Sequence, residues 1–178
     1  MRGKLALLIL FLLSVCRLPA QPKYKDWNLS AGIGLPTGNF SETHWIGMQM
    51  MAEYAPKRFG KLKALPKHPL GLMMSCGFGY WAGKKETVSS YPFRYGNFSV
   101  LHLFGGASYR PSKNIVLKGS AGPAVSHYEG HVRFNIGTEW GGQWYFQPQW
   151  GIGSSLTLLK ELKARPLLMI GIRGNYAF

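Results

Sequence analysis

Along the last thirteen residues the apolar side chains fall on alternate positions. Leu168, Ile170, Ile172, Tyr176 and Phe178 share one face of an extended strand, with Gly174 interrupting the series. Gly171, Arg173, Asn175 and Ala177 take the other face. A period of two with one greasy side marks a strand whose faces meet different surroundings. The same period recurs upstream. Trp27, Leu29, Ala31, Ile33 and Leu35 alternate with Asn28, Ser30, Gly32 and Gly34, until Pro36-Thr37-Gly38-Asn39 breaks the run. His44 to Tyr54 sets Ile46, Met48, Met50, Ala52 and Tyr54 against Trp45, Gly47, Gln49, Met51 and Glu53. Leu70 to Trp81 sets Leu72, Met74, Cys76, Phe78 and Tyr80 against Met73, Ser75, Gly77, Gly79 and Trp81.

Four further segments complete the series. Arg94 to Tyr109 mixes apolar and polar residues on both faces and is the least clear strand. Asn114 to Val125 sets Ile115, Leu117, Ala121 and Val125 opposite Val116, Lys118, Ser120 and Ala124. His131 to Tyr145 sets Val132, Phe134, Ile136, Thr138, Trp140 and Trp144 against Arg133, Asn135, Gly137, Glu139 and Gln143. Gln149 to Leu158 places Trp150, Ile152, Leu156 and Leu158 opposite Gly151, Gly153, Ser155 and Thr157. No stretch reads as an amphipathic helix: the basic connector Ala55 to His68 has helical spacing, but Pro56, Pro66 and Pro69 discourage one. Gly83 to Pro92 reads as a charged loop.

The first twenty residues are of another kind. Arg2 and Lys4 precede an unbroken apolar run, Leu5 to Val15, and Leu18-Pro19-Ala20 offers a small residue for cleavage before Gln21. This is the layout of a secretory signal peptide, too short for a transmembrane anchor. The domain organisation expected is therefore a signal peptide, 1–20, and a single all-β domain, 21–178. Removing the leader takes Cys16, so Cys76 remains without an intramolecular partner. The 21 basic residues fall by three to 18, against 7 acids, a balance of about +11. Export argues against nucleic acid as the partner of that charge; anionic lipid headgroups and lipopolysaccharide phosphates suit it better.

Eight alternating strands whose ends carry Trp27, Tyr54, Tyr80, Tyr109, Trp144, Tyr176 and Phe178 predict an eight-stranded antiparallel transmembrane up-and-down β-barrel. The apolar face would meet lipid and the Gly, Ser and charged face would fill the bore. The chain resembles the small OmpA/OmpX-type barrels, the single-domain outer-membrane β-barrel proteins of Gram-negative cells. That resemblance implies an outer-membrane location, both chain ends in the periplasm and closure of the first strand on the last. It also implies that Tyr176 and Phe178 are read as an assembly signal by the barrel-insertion machinery. It carries no catalytic residues and names no partner for the outer loops.

Chemical motifs are sparse. Gly77-Phe-Gly79-Tyr-Trp-Ala82 matches a loosened dinucleotide pattern, but a Lys-rich loop follows where a helix would be needed. His127 and His131 read as loop histidines, because zinc wants three or four ligands of firm geometry. Eight-stranded lipid A deacylases use a His followed two residues later by Ser. Here Ser126-His127-Tyr128-Glu129 puts Ser on the wrong side and Glu where Ser should be. The expectation is therefore no catalytic residues, no cofactor and no metal, in a protein with a structural or surface-interaction role. A lipid-modifying outer-membrane enzyme and a secreted soluble ligand-binding barrel are the competing classes; a soluble barrel would need its apolar face inside.

Alternation also predicts what the bore contains. Glu53, Lys118, Arg133, Glu139 and Arg173 point inward, and a bore this narrow forces them to pair, with Arg133 and Arg173 offered to Glu139 and Glu53. Gln49, Asn135, Gln143 and Asn175 are the polar residues placed to satisfy remaining donors. Ile136 and Ile152 are expected near mid-height on the lipid face, where arginine should cost about 2–4 kcal/mol, and serine at the neighbouring Gly137 or Gly153 far less.

Overall fold

The computed structural model describes residues 27–55, 70–88, 91–112, 114–161 and 166–178. The expected leader and nearly all of the basic connector, residues 56–68, lie outside them. The elements are β1 (Trp27–Thr37), α1 (Asn39–Thr43), β2 (Gly47–Tyr54), β3 (Leu70–Trp81), β4 (Lys85–Val88) and β5 (Tyr91–Arg94). They continue with β6 (Phe98–Tyr109), β7 (Ile115–Tyr128), β8 (His131–Tyr145), β9 (Trp150–Lys160) and β10 (Leu167–Ala177). Eight of the strands form a closed antiparallel barrel in the order β1-β10-β9-β8-β7-β6-β3-β2. The seam joins first strand to last: Leu29 opposes Tyr176, and Phe178 N donates to Trp27 O at 3.0 Å. Among the described residues no helix is long and apolar enough to cross a membrane.

Both described ends of the chain, the β8–β9 turn and the facing ends of β2, β3, β6 and β7 lie at one end of the barrel. The other end, here the mouth, carries α1, the paired strands β4 and β5, the β7–β8 turn and the facing ends of β9 and β10. The β7–β8 turn is two residues, with Glu129 at φ 48° and Gly130 at φ 80°. Positive φ at both central positions is the hairpin geometry whose twist matches the flanking strands. His127 and His131 are thus on strand ends, not in a loop, and both are exposed. The segment read as a charged loop contains β4 and the first half of β5, and the second strand begins at Gly47, not His44, because His44 is the C-cap of α1.

Outward alternation holds around the ring: Met48, Met50, Leu72, Met74, Leu101, Leu103, Ile136, Ile152 and Ile172 are all exposed. The inside divides in two. Its terminal half is polar, whereas its mouth half packs Trp81, Phe98, Val100, Phe104, Leu159 and Met169 into an apolar plug capped by Phe40 of α1. This corrects the expectation of an inner face made of Gly, Ser and charge along its whole length. The β6–β7 pairing stops at His102↔Ala124 and resumes at Gly105↔Ala121; Pro123, which has no N–H to give, sits in the gap.

The two glycines at which serine is expected to cost far less than arginine on the lipid face stand in tight surroundings. A Cβ on Gly137 would run into the Phe104 ring and Leu159, and one on Gly153 would press on the Asn175 amide. Gly105, on the outward face, has nothing within 4 Å. Gly137→Ala is therefore expected to cost about 1–3 kcal/mol through overpacking, and Gly105→Ala nothing measurable. Urea unfolding of the two variants in lipid vesicles checks this; equal midpoints would mean that the plug yields freely.

Candidate functional site

The inward positions nearest the chain ends carry Asn28 on β1, Glu53 on β2, Lys118 on β7, Glu139 and Gln143 on β8, and Arg173 and Asn175 on β10. All are buried. Each arrives there by strand alternation, on a sheet that has closed around the side chains. Lys118 Nζ donates to Glu53 Oε1. Asn28 Nδ2 and Gln143 Nε2 donate to the other oxygen, Oε2, at 2.5 and 2.9 Å. Since β2 and β7 are not neighbours in the ring, the Lys118–Glu53 pair crosses the bore.

Glu139 is the second centre. Arg173 Nη2 donates to its Oε1 at 2.7 Å, Thr157 Oγ1 donates to its Oε2 at 3.2 Å, and Lys118 Nζ stands 3.9 Å from Oε1. Arg173 Nη1 meets Met51 Sδ at 3.4 Å, and Tyr145 OH donates to Gln143 Oε1 at 3.0 Å. Two cations and two anions balance in one connected layer. That is the arrangement in which buried ions are tolerable, each with an opposite charge and further hydrogen bonds. Beside it, a pocket lined by Glu139, Arg173 and His102 has a volume of about 10 Å³, room for about one water.

Arg133 is placed elsewhere than expected. It shares Glu139's face but stands six residues nearer the mouth, about 20 Å along a strand, and its Nη1 donates to Glu161 at 3.1 Å with both side chains partly exposed. Arg173 pairs with Glu139 and Lys118 with Glu53, while Arg133 reaches neither. Asn135 is at the mouth too, donating to Ser126 Oγ at 2.9 Å. Sequence reading missed Asn28 and Thr157. The signal that finds them is register: Asn28 lies opposite Glu53 and Thr157 opposite Glu139 on adjacent strands. Tyr176, counted with the outward face, is buried at the strand end against Trp150, ring centroids 4.8 Å apart, with Phe178 beyond it.

At the mouth, His44 is buried among Phe40, Phe98 and Tyr128, and its Nδ1 is 2.8 Å from Thr43 Oγ1. Burial holds the imidazole below its usual pKa against the opposing pull of the Gly96 backbone and Glu129, so the ring is neutral at pH 7. Lys84, donating to Ser41 O and lying over the Trp45 ring, ties the first outer connection to the second.

No protein-family model and no curated protein sequence matches the chain. Solved structures do match its whole barrel. The Ail protein of Yersinia pestis in a phospholipid bilayer nanodisc superposes with a TM-score of 0.59 at 14% identity, covering 87% of this chain and 100% of that one. The outer membrane enzyme PagL matches with a TM-score of 0.57 at 11% identity, covering 85% and 99%. The N-terminal β-barrel domain of Pseudomonas aeruginosa OprF matches with 0.53 at 13% identity, covering 86% and 98%. The fold is that of the small outer-membrane β-barrels. Such a barrel meets lipid with its outer wall, and here that wall is the Met, Leu and Ile face described above. Because an enzyme shares the fold, the fold alone does not decide whether this barrel is one.

Proposed function

We propose that this chain is an integral outer-membrane protein with a structural or surface-interaction role, without enzymatic activity, whose bore is closed to solutes. The observation that carries the reading is the ion layer. Glu53, Lys118, Glu139 and Arg173 interlock across the bore, and an eight-stranded barrel leaves little room beyond its own side chains. The apolar plug above them adds a second obstruction.

Three further observations support the reading. Ser126 is buried inside and held by Asn135, whereas its neighbour His127 is exposed on the opposite side of the wall, so the two cannot act as nucleophile and base. A soluble ligand-binding barrel would hide its apolar face, yet Met48, Phe134 and Ile136 are 68%, 78% and 66% exposed. The seam at Trp27 and Phe178 puts the terminal aromatic where the barrel closes, which suits an assembly signal comprising Tyr176 and Phe178. The partners of this reading are outer-membrane lipids, lipopolysaccharide at the outer leaflet and the insertion machinery during assembly, after export through a cleaved signal peptide. The mouth would then face outward.

Planar-bilayer recording on the purified protein tests it. The expected result is silence or rare small openings, more frequent in Glu139→Ala. Steady conductance like that of a general diffusion pore would overturn the closed bore.

A further inference from the structure

Above the apolar plug the described residues of the mouth enclose a cavity of about 190 Å³. Its apolar wall is built from Phe40, Phe98, Leu159 and Leu167, and the Phe40 and Phe98 rings meet edge to face at 5.1 Å. Its polar wall is of a different kind: Ser126 and Asn135, hydrogen-bonded to each other, together with Tyr128, Arg133 and Glu161. His44 also lines it.

Arg133 decides the sign of what would fit. A guanidinium offers five N–H donors in a planar fork that matches a carboxylate two bonds at a time. Among the described residues one of those donors is engaged, with a single oxygen of Glu161. The pair is partly exposed, so opening it costs little. Ser126 accepts from Asn135 and keeps its own hydroxyl proton to give. With Glu161 swung aside, the Arg133 fork and the Ser126 hydroxyl are the donors this wall offers, and they stand over an apolar wall with aromatic edges.

We propose that this mouth cavity is a binding site for a small organic carboxylate with an aromatic or cyclic body. The ring would lie against Phe40 and Phe98, and the carboxylate would take the Arg133 fork by displacing or sharing Glu161. Size sets the limit: a cavity of about 150 Å³ accepts benzene, so this one takes a single ring with a short acidic arm. A ring with few polar groups and a few convergent donors is the usual composition of a small-molecule site. The inference goes beyond the closed bore below it and holds for either outcome of the conductance test, because the cavity is above the ion layer.

The test is equilibrium dialysis of labelled 3-phenylpropionate against the full chain in lipid nanodiscs, with empty nanodiscs subtracted. The neutral 3-phenylpropanol and the cationic 3-phenylpropylamine serve as matched probes. The parent should bind the carboxylate saturably and at least about tenfold more tightly than either analogue. Arg133→Gln should abolish that preference while leaving the barrel folded by heat-modifiable gel mobility, since its side chain is partly exposed. Glu161→Gln, which frees the fork, should tighten binding severalfold, and Arg94→Gln, exposed on β5, should change nothing. Absence of saturable binding at millimolar probe, equal binding of the neutral probe, or an Arg133→Gln variant that keeps the preference would each overturn the proposal.

Discussion

Glu139→Ala is expected to lower stability by about 3–5 kcal/mol, the usual cost of deleting one partner of a buried ion pair. The carboxylate is 3% exposed and holds Arg173 at 2.7 Å, Thr157 at 3.2 Å and Lys118 at 3.9 Å. Without it, two buried cations share Glu53 alone, and Arg173 has no carboxylate in reach. Glu139→Gln should fall between parent and alanine, because the amide oxygen can still accept from Arg173. The double variant Glu139→Met with Arg173→Met should recover much of the loss, since replacing both charges removes the unpaired ion along with the pair. Unfolding in urea in lipid vesicles, run as a double-mutant cycle, reads all three. A Glu139→Ala protein within about 1 kcal/mol of the parent would mean that water reaches the ion layer freely.

The outer wall should grade in the same units. Arginine at Met50, Leu103 or Ile172, exposed and near the middle of their strands, should cost about 2–4 kcal/mol, whereas Phe134→Arg near the mouth should cost about 0–1. Ile136 belongs between these, because its partner is Lys160, the last residue of β9. Ile152 is nearer the chain ends, two residues into the same strand. Folding yield and unfolding midpoint of the four variants in vesicles of fixed thickness measure the gradient. A flat series would take the wall out of the hydrocarbon.

What the sequence made legible follows from which rule each segment obeys. The strands β1, β3 and β10 contrast lipid with small or polar residues along most of their length, so period two exposes them directly. The strand β6 does not, because its inner face is Phe98, Val100, His102 and Phe104, and an apolar plug behind an apolar wall erases the contrast. Phe40 was hidden for a related reason: five residues are too short a helix to announce a period. The inward direction of Glu53, Lys118, Glu139 and Arg173 was readable from parity. Their pairing was not, since it depends on height and on which strands face each other across the bore, and parity gives neither. Arg133 shows the difference, with the right face and the wrong level.

The ion layer has a consequence for how the barrel comes together. Lys118 and Glu53 are 65 residues apart, Arg173 and Glu139 are 34 apart, and neither pair sits on adjacent strands. No single hairpin can form these contacts, however well its own ladder is made. Until the sheet curls shut, Lys118 and Glu53 remain hydrated at its face; once it shuts, they must meet or stay stranded. Closure is what delivers the Lys118–Glu53 pair, whereas Arg173 and Glu139, with only β9 between them, can meet on the open sheet. A mutation that weakens the Lys118–Glu53 pair should shift the balance between shut and open.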